Sequence, residues 1–159
     1  MMKRLTLLLC LLGAAALLGG CAAVEKLLGI GPHTALRKLQ VVAPLNANQN
    51  TATALDVVFV YSATAQATLP RTGPEWFAGK QALLAGLALS VDVVSLQIPP
   101  GSALQEVALP KHYYYKSVAV YSYVNYISPA GQPLGNLTPF KCALITLAPT
   151  SVAYQSCQE

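Results

Sequence analysis

Four cysteines stand at positions 10, 21, 142 and 157 of this chain, and a thiol can be acylated, oxidised to a disulfide or used as a nucleophile or metal ligand. Acid–base chemistry has thinner material. Beyond the first twenty residues the carboxylates are Glu25, Asp56, Glu75, Asp92, Glu106 and Glu159, and the imidazoles are His33 and His112. General acid–base catalysis needs positioned groups with tuned pKa values, and no two of these form a recognisable pair. Neither histidine has metal-ligand spacing around it. There is no G-x-S-x-G elbow for a serine nucleophile. The stretch GPEWFAGKQ, residues 73–81, approaches a phosphate-binding loop but has one residue too many between its glycines and no serine or threonine after Lys80. It reads as helix. Asn136-Leu137-Thr138 satisfies the glycosylation formula, although the bacterial export route argued below does not lead to glycosylation there. The sequence points to a protein without catalytic residues, metal or cofactor.

The thiols remain, and Cys21 has the most informative surroundings. Two cations, Lys3 and Arg4, precede an apolar run of about fourteen residues from Leu5 to Leu18. A helix crossing a bilayer needs roughly 20 apolar residues, so this run is too short. A positive start, a short apolar centre and small residues at the end form a secretory signal. Leu18, Gly19 and Gly20 directly before Cys21 resemble the bacterial lipobox, in which the thiol is acylated and the chain is then cut just before the cysteine. The alternative is a signal cut elsewhere, with Cys21 an ordinary buried thiol. On the lipobox reading the mature chain starts at Cys21 and is held by several acyl chains, each methylene contributing about 0.8 kcal/mol. The next residue is Ala22, and an Asp there is the familiar inner-membrane retention signal of enteric bacteria. The resemblance therefore implies the periplasmic face of the outer membrane.

Losing residues 1–20 leaves 139 residues, enough for one domain with a real core. Eight lysines and arginines then face six carboxylates, which is too little positive charge for nucleic acid. The hydrophobic fraction of 54% is inflated by the signal, and no second apolar run approaches membrane-spanning length. Cys142 and Cys157 are left as an even pair in an oxidising compartment. They flank ALITLAPTSVAYQS, two β-rich runs around Pro149-Thr150-Ser151. A four-residue loop from Ala148 to Ser151 sets Leu147 opposite Val152 and Cys142 opposite Cys157, about 4.5–5.5 Å apart and within disulfide range. The alternative is two free buried thiols.

The elements that would carry these residues are mostly strands. Residues 21–36 read as the lipidated start and a tether, with Gly29, Gly31 and Pro32 stopping a brief helical tendency, and residues 37–159 read as the domain. Strand candidates are 39–43, 55–61, 91–98, 103–110 and 116–128, followed by the cysteine-flanked hairpin; valine, aromatics and turn residues mark them. The polar PLNANQNTAT between the first two is too long for a tight hairpin. From Glu75 to Gly86 the period changes: Trp76, Phe77, Ala78, Leu83 and Leu84 fall at helical spacing, with Thr72 or Gly73 to cap and Pro74 in the first turn. Turn signals about every ten residues predict a mainly β chain, a β-sandwich of seven or eight strands with one inserted short helix.

Six of the eight tyrosines lie between Tyr113 and Tyr126. Aromatics beside cations can stack on bases or hold cationic ligands. Strand propensity explains them without a ligand, and sheet packing is the reading adopted here, with protein contacts as the second use.

The order of features resembles one family: a lipobox, a short tether, a strand, a polar loop containing LNANQN, a valine-rich strand ending at Tyr61, the helical WFAGKQALL, a turn ending in PPG, and later SVAVYSYVNY. It is similar to the outer-membrane lipoprotein of type VI secretion systems, the TssJ type, over most of residues 39–154. Two departures stand out: Tyr61-Ser62-Ala63 replaces the family's usual tyrosine-glutamine-leucine, and the terminal cysteine pair is not a family feature. The resemblance implies a transthyretin-like or immunoglobulin-like sandwich that binds the periplasmic domain of a large inner-membrane secretion-complex protein. It further implies that the loop between the first two strands, with Leu45, Asn46, Asn48, Gln49 and Asn50, makes the contact. The other occupations considered are a pilotin escorting secretin subunits, a structural envelope lipoprotein, and a periplasmic enzyme or inhibitor. Replacing Cys21 with serine is expected to leave a precursor neither acylated nor cut before that position, which palmitate labelling and intact mass will read.

Overall fold

Which side of each strand can be buried sorts this chain into two layers. The computed structural model describes residues 33–87 and 89–157, so the expected signal peptide, Cys21 and nearly all of the expected tether lie outside the described residues. Among the described residues eight strands form: β1 (Lys38–Val42), β2 (Thr53–Val60), β3 (Val91–Ile98), β4 (Gln105–Glu106), β5 (Ala119–Val124), β6 (Gly135–Asn136), β7 (Cys142–Leu147) and β8 (Val152–Ser156). One sheet has the order β4-β1-β7-β8 and the other β3-β2-β5-β6. Every adjacent pair is antiparallel except β1 and β7, which run parallel from Lys38 opposite Cys142 to Val42 opposite Thr146. The fold is the mainly β sandwich that the sequence predicts.

Alternate residues of both sheets meet in the core. Leu39 and Val41 of β1 and Ala143, Ile145 and Leu147 of β7 pack with Leu55, Val57 and Phe59 of β2 and Val120 and Val124 of β5. Because strand side chains alternate, the remaining positions of β2 and β5 face away from this core. Most of them are buried too. Val58, Val60, Ala119 and Tyr123 pack under two helices, α1 (Ala63–Thr68) and α2 (Gly73–Leu87), which contribute Ala65, Leu69 and Trp76. This second layer explains why β2 is a nearly continuous apolar run, as a strand covered on both faces must be.

The cap of α2 is Thr72, whose hydroxyl accepts from the Glu75 amide at 3.4 Å, while the Glu75 carboxylate accepts from the Arg71 amide at 3.2 Å. The first contact serves an amide that a helix start leaves without a partner, and the second fixes the residue before the cap. Gly73 lets the helix begin against β5, since a Cβ there would overlap the Val124 carbonyl.

One charge breaks the apolar pattern of β2. Asp56, 2% exposed, lies under α2. Its Oδ2 accepts from Trp76 Nε1 at 2.7 Å and pairs with Lys80 Nζ at 2.7 Å. Lys80 also donates to Ser95 Oγ at 2.9 Å. The indole stacks on Tyr123 with centroids 4.5 Å apart. The helix is therefore joined to both β2 and β3 by polar bonds as well as by packing.

Several element boundaries differ from the sequence reading. Leu36 is fully buried, and Thr34 and Ala35 donate to the carbonyls of Ser117 and Thr138 at 3.0 and 3.1 Å. Packed chain thus starts inside the segment expected to be tether. The strand expected over 103–110 reduces to β4, because Val107 still donates to the Leu39 carbonyl but the chain then leaves the sheet. The strand expected over 116–128 is confined to β5, since Tyr126 turns back onto the Val124 carbonyl. Two further short helices, α1 (Ala63–Thr68) and α3 (Tyr113–Lys116), were not expected.

The C-terminal hairpin has the predicted register, Leu147 opposite Val152 and Ala143 opposite Ser156. Cys142 and Cys157 are joined as a disulfide with Cα atoms 5.4 Å apart. It closes the outer strand of the first sheet at the end where Lys38 begins β1. Reduction should add two hydrogens to the intact mass, one for each thiol of the pair. Replacing both cysteines with serine should lower unfolding stability by about 3 kcal/mol, measured by urea titration.

Candidate partner-binding pole

The strand directions give the sandwich two distinct ends. β1 and β7 start at one end and finish at the other, where the loop 43–52, the turn 99–104, the segment 125–131 and the hairpin loop 148–151 gather. None of these four segments contains a lysine, arginine, aspartate or glutamate. The first of them crosses from one sheet to the other, which is why it is longer than a hairpin turn.

Asn48 holds this pole together. It is 1% exposed. Its Nδ2 donates to the Asn125 carbonyl at 3.3 Å and its Oδ1 accepts from the Ile127 amide at 2.9 Å. Its own amide donates to the Ala148 carbonyl at 3.2 Å, and the Gln49 amide donates to Pro149 at 3.2 Å. One residue therefore ties the loop to two other segments of the pole. A carbonyl on one side and an amide on the other also fix which end of the side-chain amide faces which way.

The backbone explains the asparagines. Asn48, Gln49 and Asn50 have φ of 46°, 56° and 62°, three consecutive residues in the left-handed region. Asparagine visits that region more readily than other residues with a Cβ. Gly101, with φ of 77°, makes the facing turn, and a Cβ there would fall 2.8 Å from Leu45 Cδ2. Gly101 also donates to the Pro44 carbonyl at 3.1 Å, and Ala43 donates to Ser102 at 3.2 Å. Tyr126 lies beneath, donating to the Ala148 carbonyl, and burial pushes its hydroxyl up to about 12.

The sequence-derived contact residues divide into two roles. Leu45, Asn46, Gln49 and Asn50 are exposed, whereas Asn48 points inward and its polar atoms are occupied. Around the exposed four the fold adds two residues that sequence reading missed, Leu104 and Ile127. Leu45 is 82% exposed, Leu104 54% and Ile127 52%, and all three lie on this uncharged end. The signal was the shared lack of charge in four separate segments, visible in the sequence but without meaning until the strands bring them together.

Several of the tyrosines weighed for ligand binding are held by hydrogen bonds within the domain. Tyr113 donates to the Leu36 carbonyl at 2.8 Å, Tyr123 to Pro70 at 2.9 Å, and Tyr121 accepts from Gln66 at 2.7 Å. Burial raises the hydroxyls of Tyr113, Tyr123 and Tyr154 above their ordinary value. These rings pack and brace the sheets. Among the described residues no three histidine, cysteine or carboxylate side chains gather as metal ligands.

This architecture is the fold of the lipoproteins of type VI secretion systems. The chain matches the T6SS lipoprotein TssJ1 from Pseudomonas aeruginosa with a TM-score of 0.53 and 13% identity, covering 77% of this chain and 95% of that one. It matches Serratia marcescens Lip, a membrane-bound component of the type VI secretion system, with a TM-score of 0.52 and 12% identity, covering 80% and 99%. No protein-family model and no curated protein matches the sequence.

Replacing Asn48 with alanine should lower stability by about 2–3 kcal/mol, because the Ile127 amide loses its acceptor and alanine tolerates left-handed backbone poorly. Urea unfolding checks this, and faster amide exchange at residues 125–127 and 148–149 should accompany it.

Proposed function

We propose that this chain is a lipid-anchored, non-catalytic subunit of a type VI secretion membrane complex. In this reading Cys21 carries the lipid, the domain stands on the periplasmic face of the outer membrane, and the uncharged pole binds the periplasmic domain of an inner-membrane protein of the complex. The observation that carries the proposal is the likeness of fold to two type VI lipoproteins over nearly the whole of their length.

The chemistry of the pole supports a protein partner. Exposed leucine and isoleucine side chains give apolar area to bury, and the amides of Asn46, Gln49 and Asn50 supply donors and acceptors without a charge to desolvate. Asn48 and Gly101 fix the loop before any partner arrives, so less ordering entropy opposes association.

The test is capture from detergent-solubilised membranes with a variant that leaves Asn48 in place: Leu45→Ser, Asn46→Gly, Gln49→Ser and Asn50→Gly. Removing an apolar anchor and its polar neighbours should weaken binding of the inner-membrane partner by roughly tenfold or more, with an unchanged unfolding midpoint. Undiminished co-purification would remove the pole from the proposal. Capture of a secretin in place of the inner-membrane protein would point to pilotin work instead.

A further inference from the structure

The opposite end of the sandwich has the reverse chemistry. Of the seven lysines and arginines among the described residues, Arg37, Lys38, Lys111, Lys116 and Lys141 lie there. Hydrogen bonds to the first packed residues place them. Arg37 and Lys38 donate their amides to the Lys141 carbonyl at 2.7 and 3.3 Å, and Thr34 donates to Ser117, beside Lys116, at 3.0 Å. The Tyr113 hydroxyl, two residues from Lys111, reaches the Leu36 carbonyl. All five cationic residues are exposed.

Few carboxylates offset them. Glu106 pairs with Lys38 at 3.1 Å, and Asp92, on the outer strand β3, accepts from the Tyr61 hydroxyl. Glu159 follows two residues after Cys157 and lies outside the described residues. Beside the disulfide is an open groove of about 590 Å³ lined by Lys38, Gln40, Phe140, Lys141 and Ser156. Two of the lining residues are lysines, Lys38 sharing its charge with Glu106 and Lys141 with no carboxylate paired to it among the described residues, and ammonium groups suit a phosphate.

The chain enters the domain at this same end. Cys21 precedes His33 by twelve residues, which span at most about 40 Å when extended. A lipid on Cys21 therefore keeps the basic end within reach of a membrane surface. We infer that this end is an electrostatic docking face for an anionic lipid surface, with lipid phosphate seated in the groove between Lys38 and Lys141. Docking would hold the domain upright and turn the uncharged pole away from the bilayer. The inference rests on the lipid anchor of the proposed function.

The test uses the lipidated chain on vesicles of phosphatidylcholine alone and of phosphatidylcholine with phosphatidylglycerol. Flotation with the neutral vesicles reads the anchor by itself. Amide exchange then reads the face: segments 34–38, 111–117 and 139–142 should exchange roughly fivefold more slowly on the anionic vesicles, while segments 45–51 and 125–128 should not differ. The difference should vanish in 0.5 M salt and in the triple variant Lys111→Gln, Lys116→Gln, Lys141→Gln. It should not be reproduced by inorganic phosphate with neutral vesicles. Equal exchange on the two vesicle types, or equal slowing in the triple variant, would overturn the docking face while leaving the anchor intact. A chain that fails to float with neutral vesicles has no anchor; flotation with anionic vesicles that the triple variant loses would then still support the face, and no flotation with either would overturn it.

Discussion

The carboxylate of Asp56 is the constraint on which the second layer depends. A buried charge is tolerated only when paired and hydrogen-bonded, and Asp56 obtains both partners, Trp76 Nε1 and Lys80 Nζ, from a single helix. The two side chains are four positions apart, one turn along the same helical face. The helix consequently has one rotation and one height on the sheet that satisfy the charge. Apolar contact alone leaves more freedom, because packing of this kind is not directional. Once α2 is placed, β2 and β5 are closed on both faces and only β3 and β6 flank them in that sheet.

The two poles follow from the strand directions set by that frame. One end gathers the uncharged loops around the inward-pointing Asn48, and the other gathers the cationic residues around the first packed turn of the chain. Charge separation of this kind is absent from any local stretch of sequence. It arises because β1 and β7 are parallel, which puts Lys38 beside Cys142 and its neighbour Lys141 at one end and the loops after Val42 and Leu147 at the other.

The fold was legible where periodicity and turn chemistry were strong. The β-sandwich, a helix over Glu75 to Gly86 capped at Thr72 or Gly73, and the register of the cysteine-flanked hairpin all follow from local pattern. Asn48 was legible as a polar loop residue but not as a buried one, because its partners Asn125 and Ile127 are 77 and 79 residues away. Likewise Asp56 showed as an isolated acid, since nothing in the local sequence reveals that Lys80 and Trp76 will cover it. Thr34 and Leu36 were placed in a tether because glycine and proline precede them, while the contacts that bury them come from Ser117 and Thr138, far along the chain. Local signals located elements; long-range contacts assigned their roles.

The parallel pairing of β1 with β7 also has a mechanical meaning. Under the proposed function, a chain held by lipid at its N-terminal end and by a protein at the opposite pole would be loaded along the axis of β1. That strand lies between β4 and β7 rather than at a sheet edge, so traction runs parallel to the strand and is shared by its ladder of hydrogen bonds at once. Bonds loaded together in shear resist extraction better than bonds opened one after another by peeling. The disulfide between β7 and β8 ties the neighbouring strands at the end where β1 begins, so under the proposed function the first sheet would carry tension between the two attachments.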